Sequence, residues 1–132
     1  EGDKPARIEY YENGNIKREW YWLNDNQHRE DDKSAYIKYY ENGRIEIEEY
    51  WLNYNQHRED DKPARIEYYE NGRIKSEVYW LNGEIHREDD KPTKIEYSPD
   101  GNIETHYWFD KNGKQIKKEV IDYTIELTKC CR

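Results

Sequence analysis

The sequence predicts an all-β fold made of tandem β-hairpins. The first observation is internal repetition, because Asp3, Asp32, Asp61 and Asp90 open similar segments that begin 29 residues apart. The second is an alternation of apolar and polar residues with period 2, rich in Ile, Tyr and Trp, which is typical of strands. The third is a Gly-containing turn at the same place in every unit. Together they predict hairpins arranged in an elongated twisted sheet or a solenoid.

We interpret the chain as one repeat domain covering residues 1–132. The four units are residues 3–31, 32–60, 61–89 and 90–118. The remaining residues, 119–132, include the strand-like run Val-Ile-Asp-Tyr-Thr-Ile-Glu-Leu. We expect this tail to form a C-terminal capping strand, since repeat arrays need a modified terminal unit.

The turn motif predicts how the two strands of each hairpin pair. Glu-Asn-Gly at 12–14 suits a three-residue loop, in which a type I turn is followed by Gly in a left-handed conformation. This loop places Tyr10 opposite Ile16 and Ile8 opposite Arg18.

The same register divides the residues between an apolar and a charged face. On the charged face it pairs Glu9 with Lys17 and Lys38 with Glu46, so that opposite charges meet across the strands. The predicted buried face carries Ala6, Ile8, Tyr10, Ile16 and Trp22 with their equivalents in the other units.

Composition favours an ordered chain with a thin core. Only 33% of the residues are hydrophobic and 39% are charged, a balance typical of disorder, but 14 Tyr, 5 Trp and 1 Phe supply large side chains to bury. The net charge is −8 and the basic residues are interspersed with acidic ones, which argues against direct binding to nucleic acid or anionic membrane. We expect a soluble protein, in the cytoplasm rather than secreted.

Three segments of the third unit carry a family resemblance. They are Tyr-Tyr-Glu-Asn-Gly-Arg-Ile-Lys-Ser-Glu at 68–77, Tyr-Trp-Leu-Asn-Gly at 79–83 and His-Arg-Glu-Asp at 86–89. They resemble the MORN-variant repeats of many bacterial and giant-virus proteins, some of them described as antitoxins. The resemblance implies a β-hairpin repeat scaffold and a role in protein–protein interaction or scaffolding rather than catalysis.

The recurring His-Arg-Glu-Asp-Asp segment, at His28, His57 and His86, is the strongest candidate for site chemistry. Imidazole and carboxylates bind divalent metals, but equivalent residues of successive hairpins lie about 9.5 Å apart, so one ion cannot bridge two of these histidines. A metal site within one unit stays open. The favoured interpretation is that His and Asp cap the turns and bind backbone N–H groups between hairpins. We predict neither a metal nor a cofactor.

Catalysis is disfavoured as well. No serine lies in a nucleophile motif, no Gly-rich phosphate loop is present, and the carboxylates recur with the repeat instead of forming one unique pair. We predict that the protein is not an enzyme and has no catalytic residues.

Aromatic side chains predicted on the charged face form the candidate protein-binding surface. Such rings are typical interface anchors, although they also cover neighbouring strands in structural roles. One row is Tyr11, Tyr40 and Tyr69, and the other is Tyr21, Tyr50, Tyr79 and Trp108, flanked by Leu23, Leu52 and Leu81.

The sequence thus favours a non-catalytic module for protein–protein interaction or scaffolding. Two alternatives stay open: an acidic mimic of nucleic acid that acts as an inhibitor or antitoxin, and a self-assembling structural protein. In the last case the end hairpins would pair edge to edge, unless Lys117, Lys118 and the tail block that contact. The expected partner is another protein or a second copy of the chain.

Overall fold

Each Glu-Asn-Gly triplet forms the loop of a hairpin, as its residue types require. In the computed structural model, which describes residues 3–124, the Tyr11 N–H donates to Asn15 O (2.8 Å) and the Gly14 N–H donates to Tyr11 O (3.0 Å). Gly14 has a φ of 91°, a left-handed conformation that L-residues with a Cβ adopt at a cost. The predicted three-residue loop is confirmed, and it recurs at Gly43 and Gly72.

Within the described residues the chain forms fifteen strands. They are β1 (Arg7–Tyr10), β2 (Ile16–Trp20), β3 (Trp22–Leu23), β4 (Asn26–Gln27), β5 (Tyr36–Tyr39), β6 (Ile45–Glu49), β7 (Trp51–Leu52), β8 (Asn55–Gln56), β9 (Arg65–Tyr68), β10 (Ile74–Val78), β11 (Trp80–Leu81), β12 (Glu84–Ile85), β13 (Lys94–Tyr97), β14 (Ile103–Phe109) and β15 (Gln115–Asp122). Nine of them form one open antiparallel sheet in the order β1-β2-β5-β6-β9-β10-β13-β14-β15. The predicted all-β repeat fold is confirmed.

Three short ribbons lie between successive hairpins of the large sheet. The strand pairs are β3–β4, β7–β8 and β11–β12, each closed by a two-residue turn. Asn24 and Asp25, and likewise Asn53 and Tyr54, have positive φ at the two central positions, which is the type I′ geometry of tight hairpins. These ribbons belong to the inter-repeat loops, which run from the Trp-Leu strand to the Asp-Asp-Lys segment.

The predicted register holds next to the turn and is wrong beyond it. Tyr10 pairs with Ile16 as expected, but Ile8 pairs with Glu19 rather than with Arg18. The cause is a β-bulge, in which Lys17 is an extra residue on β2 between two paired positions. The same shift occurs in the hairpins β5–β6 and β9–β10.

The bulge also changes the ion pairs expected across the strands. Glu9 contacts Arg7 (3.0 Å) and Arg18 (3.7 Å), so its predicted pair with Lys17 is wrong. Lys38 does pair with Glu46, at 2.7 Å, and this prediction is confirmed.

The core lies on one face of the sheet beneath the inter-repeat loops, and it is thin. Tyr21, Ala35 and Ile37 form a buried cluster against which Trp51 packs. The predicted Ala and Ile positions are buried at Ala35, Ala64, Ile37, Ile66 and Ile95. The prediction is wrong for Ile74 and Ile103, the equivalents of Ile16, which are 36% and 39% exposed. It is also wrong in the first unit, where Ala6, Ile8, Tyr10 and Trp22 are exposed. Three of these residues lie on or beside the edge strand β1, and Trp22 lacks the preceding loop that would cover it.

The last hairpin ends the array differently. A turn at 110–113 replaces the inter-repeat loop, with the Gly113 N–H donating to Asp110 O (2.9 Å), and leads directly into β15. Of the predicted capping tail, residues 119–122 belong to β15, which ends at Asp122. Residues 125–132 of that tail lie outside the described residues.

Candidate protein-binding surface

An arginine in each inter-repeat loop ties that loop to the Asp-Lys segment that precedes the same hairpin. Arg58 donates from Nε and Nη2 to the two carboxylate oxygens of Asp32 (2.9 and 3.3 Å), 26 residues earlier in the chain. Its Nη1 donates to the carbonyl of Pro63 (3.1 Å), and Lys62 adds a second cation to Asp32 (3.1 Å). The same contacts recur 29 residues away in each direction. The equivalent groups are Arg29, Asp3 and Lys33, and Arg87, Asp61 and Lys91.

The same arginines cover the tyrosines that the sequence analysis proposed as binding residues. The guanidinium carbons of Arg29, Arg58 and Arg87 lie 3.7, 3.8 and 3.9 Å from the ring centroids of Tyr21, Tyr50 and Tyr79. Tyr21 and Tyr79 are only 8% and 7% exposed, and Tyr50 is half-buried. Burial raises the pKa of all three hydroxyls. These rings lie between the sheet and the loops. The expectation that they are exposed is therefore wrong.

We call the repeated contacts between Asp, Arg and Lys described above the ladder. Its carboxylates are held ionised by their partners. Hydrogen bonds from Arg29 and Lys33 lower the pKa of Asp3 to about 2, and Arg87 and Lys91 do the same for Asp61. Arg58 is the main cause of the lowered pKa of Asp32.

Two of the repeated histidines cap the next loop, as the favoured interpretation of the sequence predicts. The Nδ1 atoms of His28 and His57 accept hydrogen bonds from the backbone N–H groups of Asn53 and Asn82, each at 2.9 Å. His86 is half-exposed, because the shortened fourth unit has no following loop of this kind. The histidines therefore align successive loops.

The second predicted row, on the opposite face of the sheet, also joins neighbouring repeats. The hydroxyls of Tyr40 and Tyr69 donate to the backbone carbonyls of Tyr68 and Tyr97, each at 2.6 Å. Tyr11 makes the same bond to the carbonyl of Tyr39. These rings lie on the charged face as predicted and are half-buried there.

The remaining predicted residues are more accessible. Leu23 is 47% exposed, whereas Leu52 and Leu81 are half-buried in their ribbons. Trp108 is partly exposed, donates from Nε1 to the carbonyl of Asp90 (2.8 Å) and lies under the Lys117 ammonium. The structure does not bring Trp108 together with the leucines in one cleft.

Three equivalent clefts lie between the inter-repeat loops. The first cleft (about 260 Å³) lies beside Trp22 and Leu23, the second (about 300 Å³) beside Trp51 and Leu52, and the third (about 230 Å³) beside Trp80 and Leu81. Each faces the His-Arg-Glu-Asp segment of a loop. We call the row of three clefts the trough.

Sequence reasoning missed two parts of this arrangement. It assigned the Trp of each ribbon to the core, whereas Trp22 is 52% exposed and lines the first cleft. It also overlooked the loop arginines as a structural element. The signal was present, because Arg29, Arg58 and Arg87 keep a constant spacing of 26 residues from an Asp.

Two further classes of site were searched for within residues 3–124. No group of three or more His, Cys, Asp or Glu side chains there is arranged to hold a metal ion. The same residues contain no helix with the length and apolarity to cross a membrane.

The fold and its periodic contacts define a tandem β-hairpin repeat protein. Residues 6–24 and 64–82, in two of the four repeats, match the family model described as a MORN repeat variant, which supports a MORN-variant repeat protein. MORN repeats generally serve as protein-interaction or membrane-binding modules, which is consistent with a non-catalytic repeat protein. Searches of curated proteins and of solved structures gave no match.

Proposed function

We propose that the chain is a non-catalytic module that binds another protein through the trough. The supporting observation is the trough itself, which consists of three equivalent clefts in a row, each with a Trp-Leu wall. The two other predicted rows of tyrosines, represented by Tyr50 and Tyr40, are occupied in contacts within the array. Exposed apolar side chains beside polar rims mark interaction sites in soluble proteins. Trp22 and Leu23, at 52% and 47% exposure, are the most accessible of them.

The proposal assigns different tasks to the two ends of each hairpin. The loop end carries the clefts, while the Glu-Asn-Gly end, at residues such as Asn42, is polar and exposed. A partner should therefore contact the loop end and leave the turn end free.

Photocrosslinking tests this assignment. A benzophenone amino acid replaces Leu23 in one variant and Asn42 in a matched control, and each variant is irradiated in a lysate of the source cells. We expect a crosslinked protein at position 23 that an excess of unlabelled chain suppresses, and none at position 42. The proposal is wrong if position 23 gives no saturable product or if both positions give the same one.

A second candidate function, self-assembly, is favoured by one observation. The outer edge of β15 has no strand paired with it among the described residues, and Ile116 and Val120 on that strand are 64% and 61% exposed. Open edges of this kind pair with other chains, although Lys117 and Lys118 on the same strand oppose such pairing. Light scattering over a concentration series separates the two functions: assembly requires a mass that grows with concentration, and a constant mass near 16.4 kDa would exclude it.

The nucleic-acid-mimic alternative receives less support. A mimic needs carboxylates that are free to meet a basic groove, whereas Asp3, Asp32 and Asp61 each bind an arginine and a lysine of this chain.

A further inference from the structure

The three clefts lie side by side, and neighbouring clefts share a loop as a common wall. The loop residues 28–31 line both the first and second clefts, and residues 57–60 line both the second and third. A ligand could therefore lie along the row and enter all three clefts. Because each cleft belongs to one hairpin and a hairpin spans two strands, adjacent clefts are about 9.5 Å apart.

The walls of the trough differ in chemistry. One wall carries the Trp-Leu pairs, and the other carries loop carboxylates. Asp31 and Asp60 lie in this second wall and are exposed, and no cation within residues 3–124 is paired with either. The loop cations are already engaged within the chain, since Arg29 and Lys33 bind Asp3 while Arg58 and Lys62 bind Asp32. The trough thus presents negative charge beside apolar surface.

A buried histidine donor lies at the same place. His28 is 8% exposed and lines both the first and second clefts. Its Nδ1 accepts a hydrogen bond from Asn53, so the neutral ring carries its proton on Nε2. That Nε2 makes no hydrogen bond, and its contact with the exposed Glu30 carboxylate is a long one of 3.5 Å. A ligand carbonyl in the trough would give this buried donor a closer acceptor.

The cleft spacing selects a backbone conformation. In a β-strand, residues three apart span a similar distance but point to opposite faces. In a polyproline II helix, three residues make one turn of about 9.3 Å, so every third side chain points the same way. This repeat matches the separation of the clefts.

We propose that the trough binds a cationic polyproline II segment of a partner protein, with Arg or Lys at every third position. Each aliphatic stem packs on a Trp-Leu wall, and each charged head group meets a loop carboxylate such as Asp31 or Asp60. This inference rests on the proposed function and names the partner segment for the same surface.

Two synthetic peptides of equal composition test the spacing. One is four copies of Arg-Pro-Pro, and the other is two copies of Arg-Pro-Arg-Pro-Pro-Pro, in which the arginines are two and four residues apart. Titration calorimetry with the whole chain should give a dissociation constant about tenfold lower for the first peptide, a difference that corresponds to about 1.4 kcal/mol. Equal affinity for the two, or no binding of either, would overturn the inference.

Charge variants test the location. Asp31→Asn/Asp60→Asn should weaken binding of the Arg-Pro-Pro peptide about fivefold, because it removes two exposed ion pairs, each of which contributes modestly to binding. The matched control, Glu41→Gln/Glu70→Gln, removes the same charge at the hairpin turns and should change the affinity less than about twofold. Equal losses in the two variants would mean non-specific attraction and would overturn the inference.

The two proposals can fail separately. If the peptide does not bind but position 23 still gives a saturable crosslink, the polyproline inference is wrong and the proposed function stands. If position 23 gives no crosslink while the spaced peptide binds with the expected selectivity, the trough is a peptide site but the claim of a protein partner fails.

Discussion

At the scale of single residues, the side chains that looked most suited to binding serve mainly to hold repeats together. The ring of Tyr50 lies under the Arg58 guanidinium, and that same guanidinium reaches back to Asp32 in the segment that opens the same repeat. One arginine thus combines a cation–π contact, a two-point carboxylate contact and a backbone hydrogen bond. Because these three contacts recur at the arginine of each inter-repeat loop, together they form the ladder.

The ladder predicts that Tyr50 contributes to stability. Tyr50→Ala should lower the free energy of unfolding by about 2 to 4 kcal/mol, because it removes a half-buried ring and uncovers Arg58. Denaturant unfolding measures this value. The control Tyr54→Ala, in the same repeat, removes a ring that is 69% exposed and should change stability by about 0.5 kcal/mol or less. Equal effects of the two substitutions would contradict this role.

The ladder also predicts a dependence of stability on pH. Since the pKa values of Asp3 and Asp61 are about 2 in the folded chain, below the ordinary 3.8, the folded state holds fewer protons there than the unfolded state. This stabilisation is complete above about pH 4 and is lost as the pH falls toward 2. We expect the melting temperature to decline across that interval.

Two double variants isolate this effect. Asp32→Asn/Asp61→Asn removes two ladder carboxylates and should flatten the decline in melting temperature between pH 4 and pH 2. Asp31→Asn/Asp60→Asn changes the adjacent residues in the sequence, which also have positive φ, and should leave the slope as in the parent chain. An unchanged slope in the first variant would mean that the ladder does not control acid stability.

At the scale of elements, the hairpin turns followed from the sequence and the strand register did not. Glu-Asn-Gly specifies a loop with a left-handed glycine, and Gly43 adopts a φ of 90°. The bulge at Lys17 has no residue signature, because it depends on how β2 twists against β1 and β5. Beyond the bulge, the one extra residue places the side chains of the second strand on the face opposite to the predicted one. Tyr21 and Tyr79 are therefore buried.

The inter-repeat loops show the same division between local and long-range information. The His-Arg-Glu-Asp-Asp segment identified them as capped turns, and His57 does cap the next loop. The partner of Arg58, by contrast, is 26 residues away, and its identification requires the spatial offset of neighbouring hairpins. The second and third clefts lie between two loops and could not be derived from one unit.

Two histidines at equivalent positions provide a test at this scale. His57→Ala leaves the Asn82 N–H without its acceptor and should cost about 1 to 2 kcal/mol of stability. His86→Ala should change stability by about 0.5 kcal/mol or less, since that ring is half-exposed and does not cap a following loop. Thermal unfolding of both variants measures the difference. Similar melting temperatures would show that the cap has no energetic role.

At the scale of the whole molecule, the chain is a linear array without a central core. No large side chain among the described residues is less than 2% exposed, and each buried cluster lies between one repeat and the next. Stability in such an array comes from each repeat and its interfaces with its neighbours. The second and third clefts lie between successive inter-repeat loops, so the contacts that align these loops also shape the trough.

The central claim is that each repeat depends for its stability on its interface with the next one. The most direct test is the free energy of unfolding of a chain in which residues 61–89 are duplicated, so that a fifth unit follows the third. The account predicts that both the free energy of unfolding and its denaturant dependence rise, because one more interface and more buried surface are added. An unchanged or lower free energy of unfolding would contradict it.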